Sequence, residues 1–165
     1  DYLKEAFLTR KVKKKYISLV RGHVEASHGM IDVPLGKSKR DFRKYTTDTS
    51  DMVLAKPALT EYTVLERFPA RAGLDETTLL SVELHTGRTH QIRVHLGSLG
   101  HPLMGDSLYG GNKASVSGLS RQFLHAKSIS VQLPDGTWIE AESKLPEDLR
   151  AVLTSLDSKI VNQQL

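Results

Sequence analysis

The spacing of apolar and polar positions divides the chain into stretches that favour strand and stretches that favour helix. Leu3 to about Lys13 reads as a short helix with Leu3, Ala6 and Phe7 on one side. A helix that short is marginal alone, so it reads as the tail of something longer. Tyr16-Ile17-Ser18-Leu19-Val20 then has strand character and closes at Gly22. Residues 23–58 are polar, punctuated by Gly29, Pro34, Gly36 and Pro57, and read as strand fragments joined by a long basic loop. Two alternating runs follow, residues 62–68 and 78–84, on either side of a turn containing Pro69, Gly73 and Asp75.

A helix is expected from about Thr89 to Leu99, with Ile92, Leu96 and Leu99 as its buried stripe and Gly100 as its stop. Residues 105–120 form a Gly- and Ser-rich loop. Residues 126–133 and 137–142 bracket Pro134-Asp135-Gly136, the signature of a hairpin. Pro146 opens a terminal helix with Glu147 and Asp148 at its positive end. Many strands and few helices predict an α+β fold with a mixed, largely antiparallel sheet.

Charge changes this picture. The 165 residues carry a net +4, but residues 1–45 hold 12 Lys and Arg against 5 Asp and Glu, whereas the remaining 120 hold 11 against 14. A basic section on a near-neutral body suits a phosphate-backbone partner; equally, Lys11, Lys13, Lys14 and Lys15 could simply solvate a helix end. The absence of cysteine excludes disulfides, thiolate metal sites and cysteine nucleophiles. It is consistent with a cytoplasmic home. No apolar run approaches the roughly 18 residues of a membrane span.

Functional groups are densest in residues 84–101. The segment leaves a strand, turns at Gly87 and enters a helix carrying Arg88, His90, Gln91, Arg93 and His95. Helical spacing puts Arg93 beside the apolar stripe, where a guanidinium needs an acid or a phosphate to offset its desolvation. No acid lies within a helical turn, so its partner must come from elsewhere in the fold or from outside the chain. His85, His90 and His95 recur every five residues and share no helical face, which argues against a metal site. His90 is better suited to fixing the turn by hydrogen bonding. There is no G-x-S-x-G nucleophile turn, and Gly105 to Gly111 has the glycines of a phosphate loop without its lysine, so it reads as a structural turn.

Three separated blocks resemble the RluA-type family of RNA pseudouridine synthases. Residues 14–22 are similar to that family's tyrosine strand. Leu84-His85-Thr86-Gly87-Arg88-Thr89-His90-Gln91-Ile92-Arg93-Val94-His95, continuing through Gly100 to Gly110, is similar to its arginine motif and following loop. Leu124-His125-Ala126, with Leu133-Pro134 and Leu145-Pro146, resembles its closing hairpin and helix. The likeness runs over essentially all 165 residues in order.

The resemblance implies isomerisation of uridine in RNA, with the base detached from its sugar, rotated and rejoined through C5. Tyr16 matches the tyrosine that stacks on the target base and can assist proton removal. Arg93 matches the basic residue that pairs with the catalytic aspartate, and Leu124 an apolar residue beside the base. Arg88, His90 and Gln91 fall in the same motif and are expected on the substrate side. The family nucleophile, an aspartate in a His-Arg-Leu-Asp motif, is absent from this sequence. The chain is therefore expected to be the C-terminal portion, residues 1–165, of a catalytic domain, and to be inactive alone. Lys13, Lys37, Lys39, Arg40 and Arg43 are candidates to hold the RNA backbone. RNA is the expected partner and a monomer the expected state; a redox-neutral isomerisation implies neither cofactor nor metal. Two other readings stay open: an RNA-binding module that has lost catalysis, and a structural domain with a solvated basic face.

Overall fold

A computed structural model describes residues 2, 5–6, 11–71, 73–110 and 118–161. Strand β1 (Val12–Arg21) is the centre of the fold. It pairs antiparallel with β7 (Thr77–Leu84) on one side and with β8 (Leu124–Gln132) on the other. The sheet extends outward through β6 (Leu59–Phe68) and β2 (His28–Asp32), and through β9 (Trp138–Glu142), giving the order β2-β6-β7-β1-β8-β9. Every strand pair among the described residues is antiparallel. The α+β expectation, with a largely antiparallel sheet, is met.

Alternation along β1 feeds two cores. Ile17 and Leu19 point to one face, where helix α2 (Glu147–Ser155) buries Leu149, Val152 and Leu153 with Leu79, Met104 and Phe123. Val20 points to the other, with Leu80, Val82, Tyr62 and the Ile92 and Leu96 side chains of helix α1 (Gln91–Ser98). Burial of each such side chain stabilises by about 1.5–3 kcal/mol.

A second, three-stranded sheet, ordered β4 (Tyr45–Thr46), β3 (Leu35–Ser38), β5 (Met52–Lys56), gathers part of the stretch read as strand fragments joined by a long basic loop. It meets α1 through Leu35, which packs with Ala58, just beyond β5, against Val94, with Tyr45 and Tyr109 alongside. Its connecting segment is internally tied: the Asp51 carboxylate accepts from the Ser38 hydroxyl and from the Lys39 and Arg40 amides.

Several boundaries differ from the sequence reading. Residues 2, 5 and 6 are helical, but β1 already begins at Val12, inside the stretch read as helix; Leu3 and Phe7 lie outside the described residues. Pairing of Val12 with Val131 on β8 and burial of the Val12 side chain extend the strand there, an override of local preference by tertiary pairing. Helix α1 starts at Gln91 rather than Thr89 because His90 takes a left-handed backbone, φ 56. Its end is as expected, with Gly100 at φ 85 and the His101 amide donating back to Leu96. Leu99 is half-exposed rather than buried, because it caps the helix beyond the last packed turn. The loop expected over 105–120 is described to residue 110 and again from 118. The hairpin turns at Asp135-Gly136 as the sequence requires, with the Leu133 amide donating to the Thr137 carbonyl and the Gly136 amide to the Leu133 carbonyl.

Candidate functional site

Between β7 and α1 the chain turns through Thr86, Gly87, Arg88, Thr89 and His90, and one buried side chain organises that turn. Gln91 is only 2% exposed. Its Oε1 accepts from the Thr86 hydroxyl and the Arg88 amide, while its Nε2 donates to the Leu59 carbonyl and the Thr60 hydroxyl oxygen. All four of its hydrogen-bonding positions are filled. The Thr60 hydroxyl passes the chain on to His95 Nδ1, and His95 Nε2 meets the Val33 carbonyl. A carbonyl can only accept, so His95 carries its proton on Nε2, leaving Nδ1 to accept from Thr60. The network locks the arginine turn to the start of β6.

Burial, outweighing the Val33 hydrogen bond and the Asp32 charge, pushes the His95 pKa below its usual 6.5. A histidine depressed in the folded state supports stability fully above the unfolded value, and that support is lost as pH falls through the folded one. Thermal stability should therefore drop as pH is lowered below about 6.5. The drop should be smaller in His95→Gln, measured as melting temperature against pH. An equal drop in the variant would contradict the assignment.

The guanidinium of Arg93 finds its acid in the loop after α1. Nε donates to Asp106 Oδ2 and Nη2 to Asp106 Oδ1, both at 2.7 Å, in a two-pronged pair. The Asp106 side chain is fully buried and that of Arg93 is 13% exposed. Burial works to raise the Asp106 pKa, but hydrogen bonds from Arg93 and from the Tyr109 and Leu108 amides, with the Arg93 charge, hold it below the usual carboxylate range. The hydrogen bond to Asp106 raises the Arg93 pKa against the effect of burial. The carboxylate that the sequence reading sought elsewhere in the fold or outside the chain is thus present in the fold, and the pairing leaves Nη1 over.

Around this pair sit three rings. Arg93 Cζ lies 4.9 Å from the Tyr109 ring centroid. The Tyr109 hydroxyl accepts from the Tyr45 amide and shares a 2.9 Å hydrogen bond with His90 Nδ1. His90 stands edge-on to both tyrosines, and burial, with Arg93 nearby, lowers its pKa. The His90 side chain makes no bond within the turn itself, where the sequence placed its role, but ties the turn to the loop after α1 through Tyr109.

An open cavity of about 300 Å³ lies in front of Arg93, lined by Tyr16, Leu84, Arg88, His90, Gln91, Ile92, Arg93, Gln122 and Leu124. All six residues singled out in sequence for catalysis or substrate contact line it. Tyr16 enters from the central strand and burial raises its pKa, which keeps the phenol protonated. Leu124 opens β8, and its carbonyl is held by Arg121, which also forks onto Asp148 at the start of α2. Arg88 donates through Nε to the Pro57 carbonyl. An aromatic ring and leucines facing a few polar groups suit a flat ligand with polar edges.

The backbone-binding candidates fall into two places. Lys37, Lys39, Arg40 and Arg43 lie on or beside the three-stranded sheet; Arg43 is forked onto Asp41, holding that carboxyl down to about 2. Lys13 is on β1, its ammonium 4.8 Å from the Trp138 ring centre on β9. Sequence reasoning missed Asp106, Tyr109 and Gln122. It also missed Lys14, whose Nζ comes near Gly87 and whose pKa is lowered by burial and by Arg88. The Gly105-Asp106 loop, read only as a structural turn, held the signal for Asp106: an acid directly after a glycine, in the loop that follows the helix of an arginine still lacking a partner.

A central strand bearing a tyrosine, a strand-to-helix arginine turn and a leucine at the start of the next strand define a known class. The model of the RNA pseudouridylate synthase family matches residues 1–98, and the chain belongs to that RluA-type family. It is 42% identical over 157 residues to an uncharacterized RNA pseudouridine synthase of Mycobacterium bovis, covering 93% of this chain and 48% of the relative. It is 41% identical over 154 residues to the ribosomal large subunit pseudouridine synthase D of Nitrosomonas europaea, covering 89% and 42%. Among solved structures it matches human RNA pseudouridylate synthase domain containing 1, with a TM-score of 0.74 and 32% identity over 87% of this chain and 58% of that one. The chain spans about half the length of the curated relatives it matches.

Proposed function

We propose that the chain is the C-terminal portion of the catalytic domain of an enzyme that converts uridine in RNA to pseudouridine, and that it contributes the Tyr16 and Arg93 side of the active site. The observation that supports this best is the convergence of Tyr16, Arg93 and Leu124, from three distant segments, on one cavity. The uracil ring lies against Tyr16, with Leu124 excluding water and Arg88, His90 and Gln91 bordering the pocket. Asp106 holds Arg93 in place, and the remaining N–H groups of Arg93 face a nucleophilic carboxylate from polypeptide outside this sequence. An adjacent positive charge keeps such a carboxylate ionised and oriented.

The reaction breaks the bond from N1 of the base to the sugar, forms one from C5 to the same sugar carbon, loses the C5 proton and gains one at N1. Atoms and electrons balance without a cofactor. A base must leave its stack to enter the pocket, at a cost of a few kcal/mol that a loop or bulge lowers. Lys13, Lys37, Lys39, Arg40 and Arg43 hold the backbone through that step; Arg43 does so with its charge shared with Asp41. A ribosomal RNA target is in keeping with the name of the Nitrosomonas relative.

Without the family aspartate, the purified 165-residue chain should form no pseudouridine in single-stranded or folded ribosomal RNA, as read by chemical mapping of the modified base. Product from that chain would overturn the division of labour proposed here.

A further inference from the structure

Beside the uridine cavity, and sharing Arg88 with it, lies a second hollow of about 220 Å³ between the three-stranded sheet and the arginine turn. Lys37 of β3, Lys56 of β5 and Arg88 line it, and no acidic side chain does. Among the described residues none of these three cations makes an ion pair, although most arginines of the fold do. Three unpaired cations around one concavity repel one another, and an anion seated between them relieves that repulsion. The positive end of α1 begins just beyond Arg88 and adds to the same field.

An independent feature stands at the rim. Strand β5 carries one more residue than β3 between the Leu35–Lys56 and Lys37–Val53 pairs, so it bulges. In that bulge Leu54 takes φ 55, a left-handed conformation that leucine avoids, and the residue is 81% exposed while lining the hollow. Strain that displays an apolar side chain to water gains nothing for the fold, and such outliers gather at ligand sites.

We propose that this hollow is a nucleotide subsite: Lys37, Lys56 and Arg88 take a phosphate of the RNA strand next to the target uridine, and Leu54 packs on the sugar or base face of that nucleotide. The assignment rests on the reading of the neighbouring cavity as the uridine pocket. It places the strand across the small sheet and makes Arg88 the joint between the two sites.

The test is binding of a fluorescently labelled single-stranded RNA oligomer to the 165-residue chain, followed by anisotropy over a range of salt. Lys37→Ala with Lys56→Ala should weaken binding about tenfold and reduce the slope of log affinity against log salt by about 1.4, two contacts at roughly 0.7 each. Lys144→Ala, at an exposed lysine outside the hollow, should leave both unchanged. Leu54→Gly is the sharper variant, since glycine suits the left-handed position. It should keep or raise the melting temperature while weakening RNA binding several-fold, a divergence that a merely structural leucine would not produce. Wild-type affinity and salt slope in both hollow variants would overturn the subsite and leave the uridine pocket standing. Failure of the wild-type chain to bind the oligomer would count against the pocket as well.

Discussion

Arg93→Leu is expected to lower the unfolding free energy by about 3–5 kcal/mol, and Asp106→Leu by a similar amount. For a chain of this size that is a fall of roughly 6–20 °C in melting temperature. The Asp106 side chain has no exposed surface, and Arg93 supplies two of its four hydrogen bonds, the others coming from the Leu108 and Tyr109 amides. Removing the guanidinium leaves a dry carboxylate with only amides to face. Removing the carboxylate strands a guanidinium that is 13% exposed beside an aromatic ring. Leucine at both positions leaves no charge uncompensated, so the double variant should be much less unstable than the sum of the single ones. Denaturant melts of the four proteins measure this directly. Single variants within about 0.5 kcal/mol of wild type would mean that the pair contributes nothing.

Gly105→Ala is expected to be worse than any other glycine substitution near the site. Gly105 sits at φ 74, and a Cβ there would lie 2.1 Å from the Arg121 carbonyl oxygen, a backbone atom that cannot swing aside. Either Asp106 is displaced from Arg93 or the strand entry at Arg121, which braces Leu124, is pushed away. A loss of about 3 kcal/mol or more should follow. Gly100→Ala is the control, since Gly100 has φ 85 but open space around its Cβ position. It should cost only the left-handed preference, about 1–2 kcal/mol. Equal melting temperatures for the two variants would show that the loop yields freely and that Gly105 does not fix the carboxylate.

Local pattern was enough for the strands that alternate strictly or carry their own turn. The β8–β9 hairpin follows from Pro134-Asp135-Gly136, and β6 and β7 from their apolar spacing. It was not enough where structure depends on partners distant in sequence. Val12 is in a strand because β8 lies beside it, and the strand fragments between Leu35 and Lys56 close into a sheet whose connecting turn Asp51 ties through Ser38, Lys39 and Arg40, a pairing that a linear reading leaves unspecified. For the candidate site, the demand of Arg93 for an acid could be stated from helical spacing alone, whereas its answer needed the fold. Asp106 lies 13 residues on, across a loop whose path no periodicity encodes. Of the nine residues lining the cavity, six were named in the sequence, and family resemblance supplied the roles given to them there. Spacing alone gave Tyr16 and Leu124 no role beyond core.

The most direct test of the uridine pocket is a nuclear magnetic resonance titration of the 165-residue chain with two short single-stranded RNAs, one all adenosine and one with a single uridine. The uridine strand should selectively shift the Tyr16 ring, the Leu124 methyls and the Arg93 Nε–H, while both strands move the basic residues of the small sheet. Binding of the uridine strand with those three resonances unmoved would contradict it.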